Sequence, residues 1–459
     1  MRFLDREGEL GLLKDHMTRA GAGMVVLYGR RRIGKTALIE ELLSSMPGAA
    51  YHVGTRSSIT EELRRLSATL AREWDVPLLA TQPLAGSEAL VAFLSSVSEP
   101  RVLALDEFPY LVESDPSLPG LLQAAWDSRL GRGNLKLLLA GSSIGMMEET
   151  FLSPRSPLFG RRTGQLRLGP LAPHHLGAAF PWSTPKLVEL AALFGGIPGY
   201  LQRLDPAGDL LSNLAERVLR AGEPLYEEIP FLLRDELREP RVYFAVLATI
   251  AAGSRQFGEI SSKVGLDRAN LTRYLAVLAD LGLVEREVSV LTPHPNKSRK
   301  GLYRICDPFT AAWFALVHPF RDRLERGRIA EALPDVQERL AAYLPLAIEP
   351  VVRELFLSGP LSPLVPFRPV AAGRHWGPSC EFDAVLLDES GKRAVVVEVK
   401  WSARPVSTSL LHELEQRVRA ESAFSALDCT CMLVSRSGFS GRKPPTAPER
   451  LVENRKVQL

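Results

Sequence analysis

Residues 24–43, MVVLYGRRRIGKTALIEELL, constrain the fold of this chain more than any other stretch. A short, partly β-branched apolar run passes through a glycine-bounded loop straight into a helical segment, and residues 29–36 satisfy G-x-x-x-x-G-K-[ST] at every fixed position. A loop of this kind is a cradle for polyphosphate. Gly29 and Gly34 let the backbone turn tightly so that successive N–H groups point inward, Lys35 places an ammonium on the outer phosphates, and the Thr36 hydroxyl is positioned to ligate Mg²⁺. The helix that follows presents its positive dipole end to the same anion. The expected cofactors are therefore ATP and Mg²⁺, with Arg30, Arg31, Arg32, Ile33 and Ala37 completing the nucleotide-contacting set.

Such a loop needs a second acidic element. Residues 101–105 read as a third strand, after one at 49–55, and end on Asp106 and Glu107. A carboxylate at a strand's C-terminal edge can hold Mg²⁺ through its water shell, and a neighbouring glutamate can orient and deprotonate the attacking water. Asp106 is assigned to the metal and Glu107 to the water. A fourth strand in LKLLLAGSS ends at Ser142, where a polar side chain can report the γ-phosphate, and a fifth follows Arg161 and Arg162. Arg161 is the candidate for stabilising charge on the transferring phosphoryl group, in cis or from a neighbouring subunit, so a homo-oligomer or a protein partner is compatible with the pattern. Near the start, Asp5 is a plausible cap for a helix carrying Leu10, Leu13 and Met17. Residues 60–74 read as an amphipathic helix, and 171–234 as helices forming a lid over the nucleotide.

The chain has 459 residues, too many for one ordinary core, and its 46% hydrophobic and 24% charged content is that of a globular protein. A net charge of +3 requires any nucleic-acid surface to come from local clusters. No apolar run approaches the length of a membrane span, and the charged opening MRFLDREGEL is unlike a signal peptide, so the expectation is a cytoplasmic protein with no membrane association. Cys306, Cys380, Cys429 and Cys431 lack C-x-x-C spacing and read as reduced thiols rather than a zinc or disulfide framework.

FLDREGEL, YGRRRIGKT, LALDEF, AGSS, SPLFGRR and GGIPGYL occur in an order and register that resembles the archaeal-type ATPase family, a STAND-like branch of the AAA-type P-loop ATPases. The resemblance covers roughly the first half of the chain and implies a parallel-sheet P-loop core with a helical lid. It also implies that the leading F-x-x-R-E-x-E-L stretch, matched by Phe3, Arg6, Glu7, Glu9 and Leu10, lies near the adenine.

From residue 235 the pattern changes to three helices followed by a β-hairpin, a winged helix. Arg268, Asn270, Thr272 and Arg273 are the candidates on the exposed face of the third helix, and the wing tip supplies Lys297, Arg299 and Lys300, with Arg304 beside them. Duplex DNA is the favoured nucleic acid, while a protein-contact role remains the alternative for a module of this type.

The last third contains EFDAVLLDESGKRAVVVEVKW, two alternating β-runs around Ser390 and Gly391. With that pair as the turn centre, Asp383 faces Glu398 with Cβ atoms about 5 Å apart, and Lys400 shares the face. Two such carboxylates can share a divalent ion, Mg²⁺ or Mn²⁺, while the lysine activates a water. This arrangement is similar to the PD-(D/E)xK nuclease superfamily, in which Glu349, or alternatively Glu354, would be the acidic residue of the first helix. Phe382 stands where that motif has proline. The expected architecture is an α/β multidomain chain: a P-loop ATPase core over 1–170, a helical lid over 171–234, a winged helix over 235–305 and a restriction-endonuclease-like domain over 306–459. The expected function is an ATP-binding and ATP-hydrolysing protein coupled to DNA binding and metal-dependent cleavage. The alternative is a nucleotide-switched DNA-binding or signalling scaffold with a silent nuclease-like domain.

Overall fold

The structure, a computed structural model, describes residues 5–298, 300–377, 380–441 and 451–453. Phe3 and Arg299, both singled out in the sequence, lie outside the described residues. The chain divides into two compact units, Met1–Pro170 and Leu171–Leu459.

The first unit is built on a five-stranded parallel sheet in the order β2-β3-β4-β1-β5, with β1 at Gly23–Tyr28, β2 at Ala50–Val53, β3 at Arg101–Asp106, β4 at Leu135–Gly141 and β5 at Gly164–Arg167. Every residue of β1 and β4 is buried, as a parallel strand covered on both faces requires. Helix α1 (Glu7–Thr18) precedes β1, α2 (Lys35–Ser44) follows the P-loop, and α3 (Ile59–Glu73) follows β2 with Ser58 accepting from the Glu61 N–H at its start. The expected cap of α1 is corrected. Arg6, not Asp5, precedes its first turn, with a left-handed backbone at φ +84°. The cause is long-range: the buried Arg6 guanidinium donates to the carbonyls of Ile33 at 3.3 Å and Gly169 at 2.6 Å.

In the second unit, the helix Thr184–Phe194 is buried along most of its length because Pro308–Leu316 and the long helix Ile329–Ser358 pack on it. Phe309 meets Phe194 and Tyr200 at ring-centroid distances of 5.7 and 4.8 Å, and Trp313 Nε1–H donates to the Tyr226 carbonyl at 2.8 Å. The helices of 171–234 therefore form part of this unit's own core, and the aromatic stretch after residue 306 packs with them rather than with the C-terminal sheet. The aromatic faces of both segments leave water by packing on one another.

A winged helix follows: Pro240–Ala251, Phe257–Val264 and Arg268–Asp280, then antiparallel β6 (Val284–Glu287) and β7 (Leu302–Ile305). The 30-residue helix Ile329–Ser358 contains Pro334, Pro345 and Pro350 in its interior. It packs on a sheet ordered β14-β12-β10-β9-β8, in which β8 (Ala371–Trp376), β9 (Glu381–Leu387) and β10 (Arg393–Lys400) are antiparallel neighbours. The short strands β11 (Val406–Ser407) and β13 (Phe439–Ser440) pair with each other. Between them the helix Ser409–Ala420 crosses over and returns the chain as β12 (Asp428–Ser435), parallel to β10, and β14 (Leu451–Glu453) adds to its far side. The β9–β10 ladder runs from Ala394 opposite Leu387 to Val397 opposite Ala384, the register that a Ser390-Gly391 turn dictates. No helix among the described residues is long and apolar enough to cross a membrane.

Gly196 shows how tightly the second unit is closed. Its carbonyl accepts from the Leu171 N–H at 2.8 Å, and a Cβ added there would lie 1.8 Å from the Leu171 carbonyl oxygen. Gly196→Ala is expected to lower stability by at least about 2 kcal/mol, measured as a reduced urea midpoint for the transition of this unit; an unchanged midpoint would mean that the backbone around residue 171 yields freely.

Candidate functional site

The P-loop lies between β1 and α2. Gly29 has no room for a side chain, since a Cβ would stand 2.5 Å from the Leu168 carbonyl oxygen, and Gly34 adopts φ +97° as it enters α2. Lys35 is buried and donates to the carbonyls of Gly29 at 2.8 Å and Arg30 at 3.2 Å, which holds its ammonium under the loop. Thr36 and Ala37 are exposed at the start of α2, and Ile33 is buried with its carbonyl bound by Arg6. Arg31 donates to the Tyr110 hydroxyl at 2.6 Å, and Arg32 holds a left-handed backbone at φ +64°. Arg30 is half-buried between Gly29 and Arg31.

The end of β3 meets this loop. Asp106 is 1% exposed, and its Oδ2 accepts from Thr36 Oγ1 at 2.8 Å and from the Tyr51 hydroxyl at 3.1 Å. Burial first, and then the adjoining Asp106 carboxylate, push the Tyr51 phenol up from its ordinary range. Tyr51 escaped the sequence reading; it lies within β2, the strand beside β3. Glu107 sits just past β3 in a left-handed conformation at φ +49°, and its Oε2 accepts from the Ser142 hydroxyl at 2.8 Å and the Ser142 N–H at 3.3 Å. A threonine hydroxyl bound to a buried aspartate at the mouth of a phosphate cradle is a donor set suited to Mg²⁺. Arg161 is engaged elsewhere in its own unit: its guanidinium forks onto Asp127 at 2.7 and 2.9 Å and also donates to the carbonyls of Pro157 and Phe159.

On the third winged-helix segment, Arg268, Asn270, Thr272 and Arg273 are all exposed. Asn270 is tied to the cap, its side chain donating to Asp267 at 2.7 Å, and Thr272 donates to the Arg268 carbonyl at 2.7 Å. Arg273 lies 3.7 Å from Glu239 in an exposed ion pair. Lys297 and Lys300 are exposed at the wing tip, whereas Arg304 is paired with Glu285 at 2.5 Å within the hairpin and so does not belong with the tip cluster.

In the C-terminal sheet, Asp383 Oδ2 accepts from the Val399 N–H at 2.8 Å, just beyond the last ladder pair. Glu398 is buried between two cations, with Oε1 2.7 Å from Lys400 Nζ and Oε2 3.1 Å from Arg417. Glu349 approaches Arg374 at 3.6 Å; burial first, then the Asp383 charge, raise its carboxyl to about 7. Asp383 is likewise raised, mainly by burial, while the Val399 N–H works against the shift. Glu354, the competing residue, is also raised by burial. Among the described residues, no three of these carboxylates bring their oxygens within an ion's reach of one another. Arg353, Arg374 and Arg417 were not read from the sequence, since single arginines far apart in the chain carry no spacing signal.

Around Glu287, at the end of β6, the winged helix and the sheet are joined by charge. Its carboxylate lies 3.2 Å from Arg255 and 3.6 Å from both Arg353 and Arg374, and Arg353 also donates to the Asp383 carbonyl at 2.8 Å. The polypeptide after β6 packs directly on β8: Val290 N–H donates to the Arg374 carbonyl at 3.0 Å.

Comparisons with known proteins agree with this architecture. A model described as an ATPase domain predominantly from Archaea matches residues 3–204, one of the IclR helix-turn-helix domain matches 242–288, and one of archaeal and bacterial proteins of unknown function matches 313–416. The uncharacterized protein MJECL04 of Methanocaldococcus jannaschii is 32% identical over 404 residues, which is 87% of this chain and 87% of that one. The uncharacterized ATP-binding protein MJ0423 of the same organism is 42% identical over 43 residues, 9% of this chain and 73% of that protein. Among solved structures, the Walker-type ATPase PABY2304 of Pyrococcus abyssi superposes with a TM-score of 0.52 at 23% identity, covering 68% of this chain and 96% of that one, a likeness of fold. With a P-loop ATPase domain followed by a helix-turn-helix, and similarity to MJECL04 over 87% of both chains, the chain belongs to the archaeal-type ATPase family.

Proposed function

We propose that this protein binds ATP with Mg²⁺ at the P-loop, hydrolyses it, and uses the nucleotide state to control a DNA-binding winged helix. The observation that carries the reading is the meeting of Thr36 with Asp106 at 2.8 Å beside a Glu107 turned back onto Ser142. Thr36 and Asp106 would hold the metal, which supplies charge neutralisation on the phosphate oxygens. Lys35 exchanges the loop carbonyls for outer phosphate oxygens. Glu107, held in place by Ser142, accepts the proton of the attacking water. Arg161 can serve the transferring group only by leaving Asp127, so an arginine from a second subunit remains the simpler source of that charge.

Lys35→Ala is expected to abolish ATP binding or turnover, and Glu107→Gln to keep ATP bound while turnover falls by about 10²-fold or more. Filter binding and phosphate release measure the two; full turnover in Glu107→Gln would reassign the water-activating residue. For the winged helix, replacing Lys297 and Lys300 by alanine is expected to weaken duplex binding for every sequence and to lower the salt slope by about two. Unchanged binding at every salt concentration would favour a protein-contact role.

A second reading, metal-dependent cleavage by the C-terminal sheet, is favoured by one set of observations. A helix bearing Glu349 packs on an antiparallel β8–β9–β10 sheet that continues through a crossover helix to a parallel β12, and Asp383, Glu398 and Lys400 stand together at the open end of β9 and β10. Glu349 held near 7 beside Asp383 is a carboxylate pair that a divalent cation would relieve. For metal to reach Glu398, Lys400 and Arg417 must yield. If the site is active, plasmid nicking with Mn²⁺ or Mg²⁺ disappears in Asp383→Ala while ATP turnover persists; a parent protein that never nicks DNA leaves the nucleotide-switched scaffold.

A further inference from the structure

A separate group of ligand atoms lies behind β9. His375 in β8, Cys380 just before β9 and Glu421 at the end of the crossover helix place a ring nitrogen, the thiol sulfur and a carboxylate oxygen all within 4.8 Å of one another. His375 is 6% exposed, yet its Nε2 has no hydrogen-bond partner among the described residues. A buried polar atom without a partner is unfavourable, and a bound ion would satisfy it. The other ring nitrogen is occupied: Nδ1 lies 2.7 Å from Ser289 Oγ. The tautomer that donates from Nδ1 to this hydroxyl leaves a lone pair on Nε2, the outer-shell arrangement by which histidines are oriented toward metals.

Cys380 Sγ is already 2.8 Å from Glu421 Oε2, and the ring of His375 packs against Phe382 and Phe424 at centroid distances of 6.0 and 5.2 Å. The Gly377 N–H donates to the Cys380 carbonyl at 2.9 Å, and a Cβ on Gly377 would stand 3.1 Å from Cys380 Sγ and 3.0 Å from Glu421 Oε2. A side chain there would crowd that side of the cluster. Cys380 and Glu421 are both partly exposed, which supplies an entry path.

We propose that His375 Nε2, Cys380 Sγ and Glu421 Oε2 bind a zinc ion, with water as the fourth ligand. One nitrogen, one sulfur and one carboxylate oxygen form a borderline donor set that suits Zn²⁺ rather than Mg²⁺ or Ca²⁺. Tetrahedral bonds of about 2.0–2.3 Å put ligand atoms roughly 3.5 Å apart, so the group needs only small side-chain adjustments. On binding, the Cys380 thiol releases its proton to solvent and the thiolate takes the metal. The ion would pin three elements together: β8, the start of the strand that carries Asp383, and the end of the helix whose Arg417 holds Glu398. The site stands whether or not the C-terminal sheet cleaves nucleic acid.

The test uses the full chain, reduced, stripped of metal by a chelator and kept in excess Mg²⁺ so that the P-loop is not available to the probe. Titration with Co²⁺ is expected to give one equivalent per chain with a thiolate-to-cobalt charge-transfer band, displaced by Zn²⁺. That band is lost in Cys380→Ser, and the exposed-side variant Glu421→Gln, which disturbs no core, binds at least about tenfold more weakly. Zn²⁺ raises the thermal midpoint of the parent and not of Cys380→Ser. A parent without the band overturns the proposal, as does a band that survives in Cys380→Ser, since it would belong to Cys306, Cys429 or Cys431.

Discussion

The bond between Thr36 and Asp106 is short, buried on one side and made between two elements that meet nowhere in sequence. It exists only if β3 lies two strands from β1, with β4 between them, and ends level with the first turn of α2. The parallel sheet supplies that alignment, because its central strands are covered on both faces and largely apolar, with the carboxylates of Asp106 and Glu107 placed where β3 ends. Chemistry is thereby forced to the carboxyl edge. Arg6 reinforces the arrangement from outside the sheet, bridging the carbonyls of Ile33 and Gly169 so that the P-loop and the polypeptide after β5 are held by one guanidinium.

The second unit is organised around charge rather than around a strand edge. Glu287 gathers Arg255, Arg353 and Arg374 in a region where all of these groups are substantially withdrawn from water. A lone carboxylate could not be desolvated there cheaply, and neither could any one of the arginines; together they offset part of one another's desolvation, although Arg374 Nε keeps no hydrogen-bond partner among the described residues. Arg353 is pulled well below its ordinary range to about 10 by burial, a sign of how little water reaches it. The same arginine holds the Asp383 backbone, so a residue of the wing strand and a candidate acidic residue of the sheet are two contacts apart.

What could be read from the sequence depended on whether the information was local. The P-loop, the strand ending in Asp106 and Glu107, and the β9–β10 register were legible because each is set by adjacent residues: glycines at fixed offsets, an apolar run with a polar end, a two-residue turn. The ion pairs that engage the candidates were not. Nothing near Glu398 announces Arg417, and nothing near Arg161 announces Asp127, because such partners are chosen by the fold. Strands β8 and β12 went unread for a different reason. The run AAGRHW is too polar and glycine-broken to look like a strand, and it is one only because β9 offers it an edge. The absence of paired cysteines likewise hid a mixed cluster whose members come from three separate elements.

The three prolines in the helix Ile329–Ser358 have a mechanical consequence. Each removes a backbone donor and leaves a carbonyl one turn earlier without its usual partner, so the rod is weakest around residues 345–350. Glu349 sits in that soft section, with Pro350 directly after it and the firmly buried Val351 and Val352 beyond. The amino-terminal half is clamped by the helical core and the carboxyl-terminal half by the sheet. A bend of a few degrees at these prolines would change the separation of Glu349 from Asp383 without asking either side chain to change rotamer.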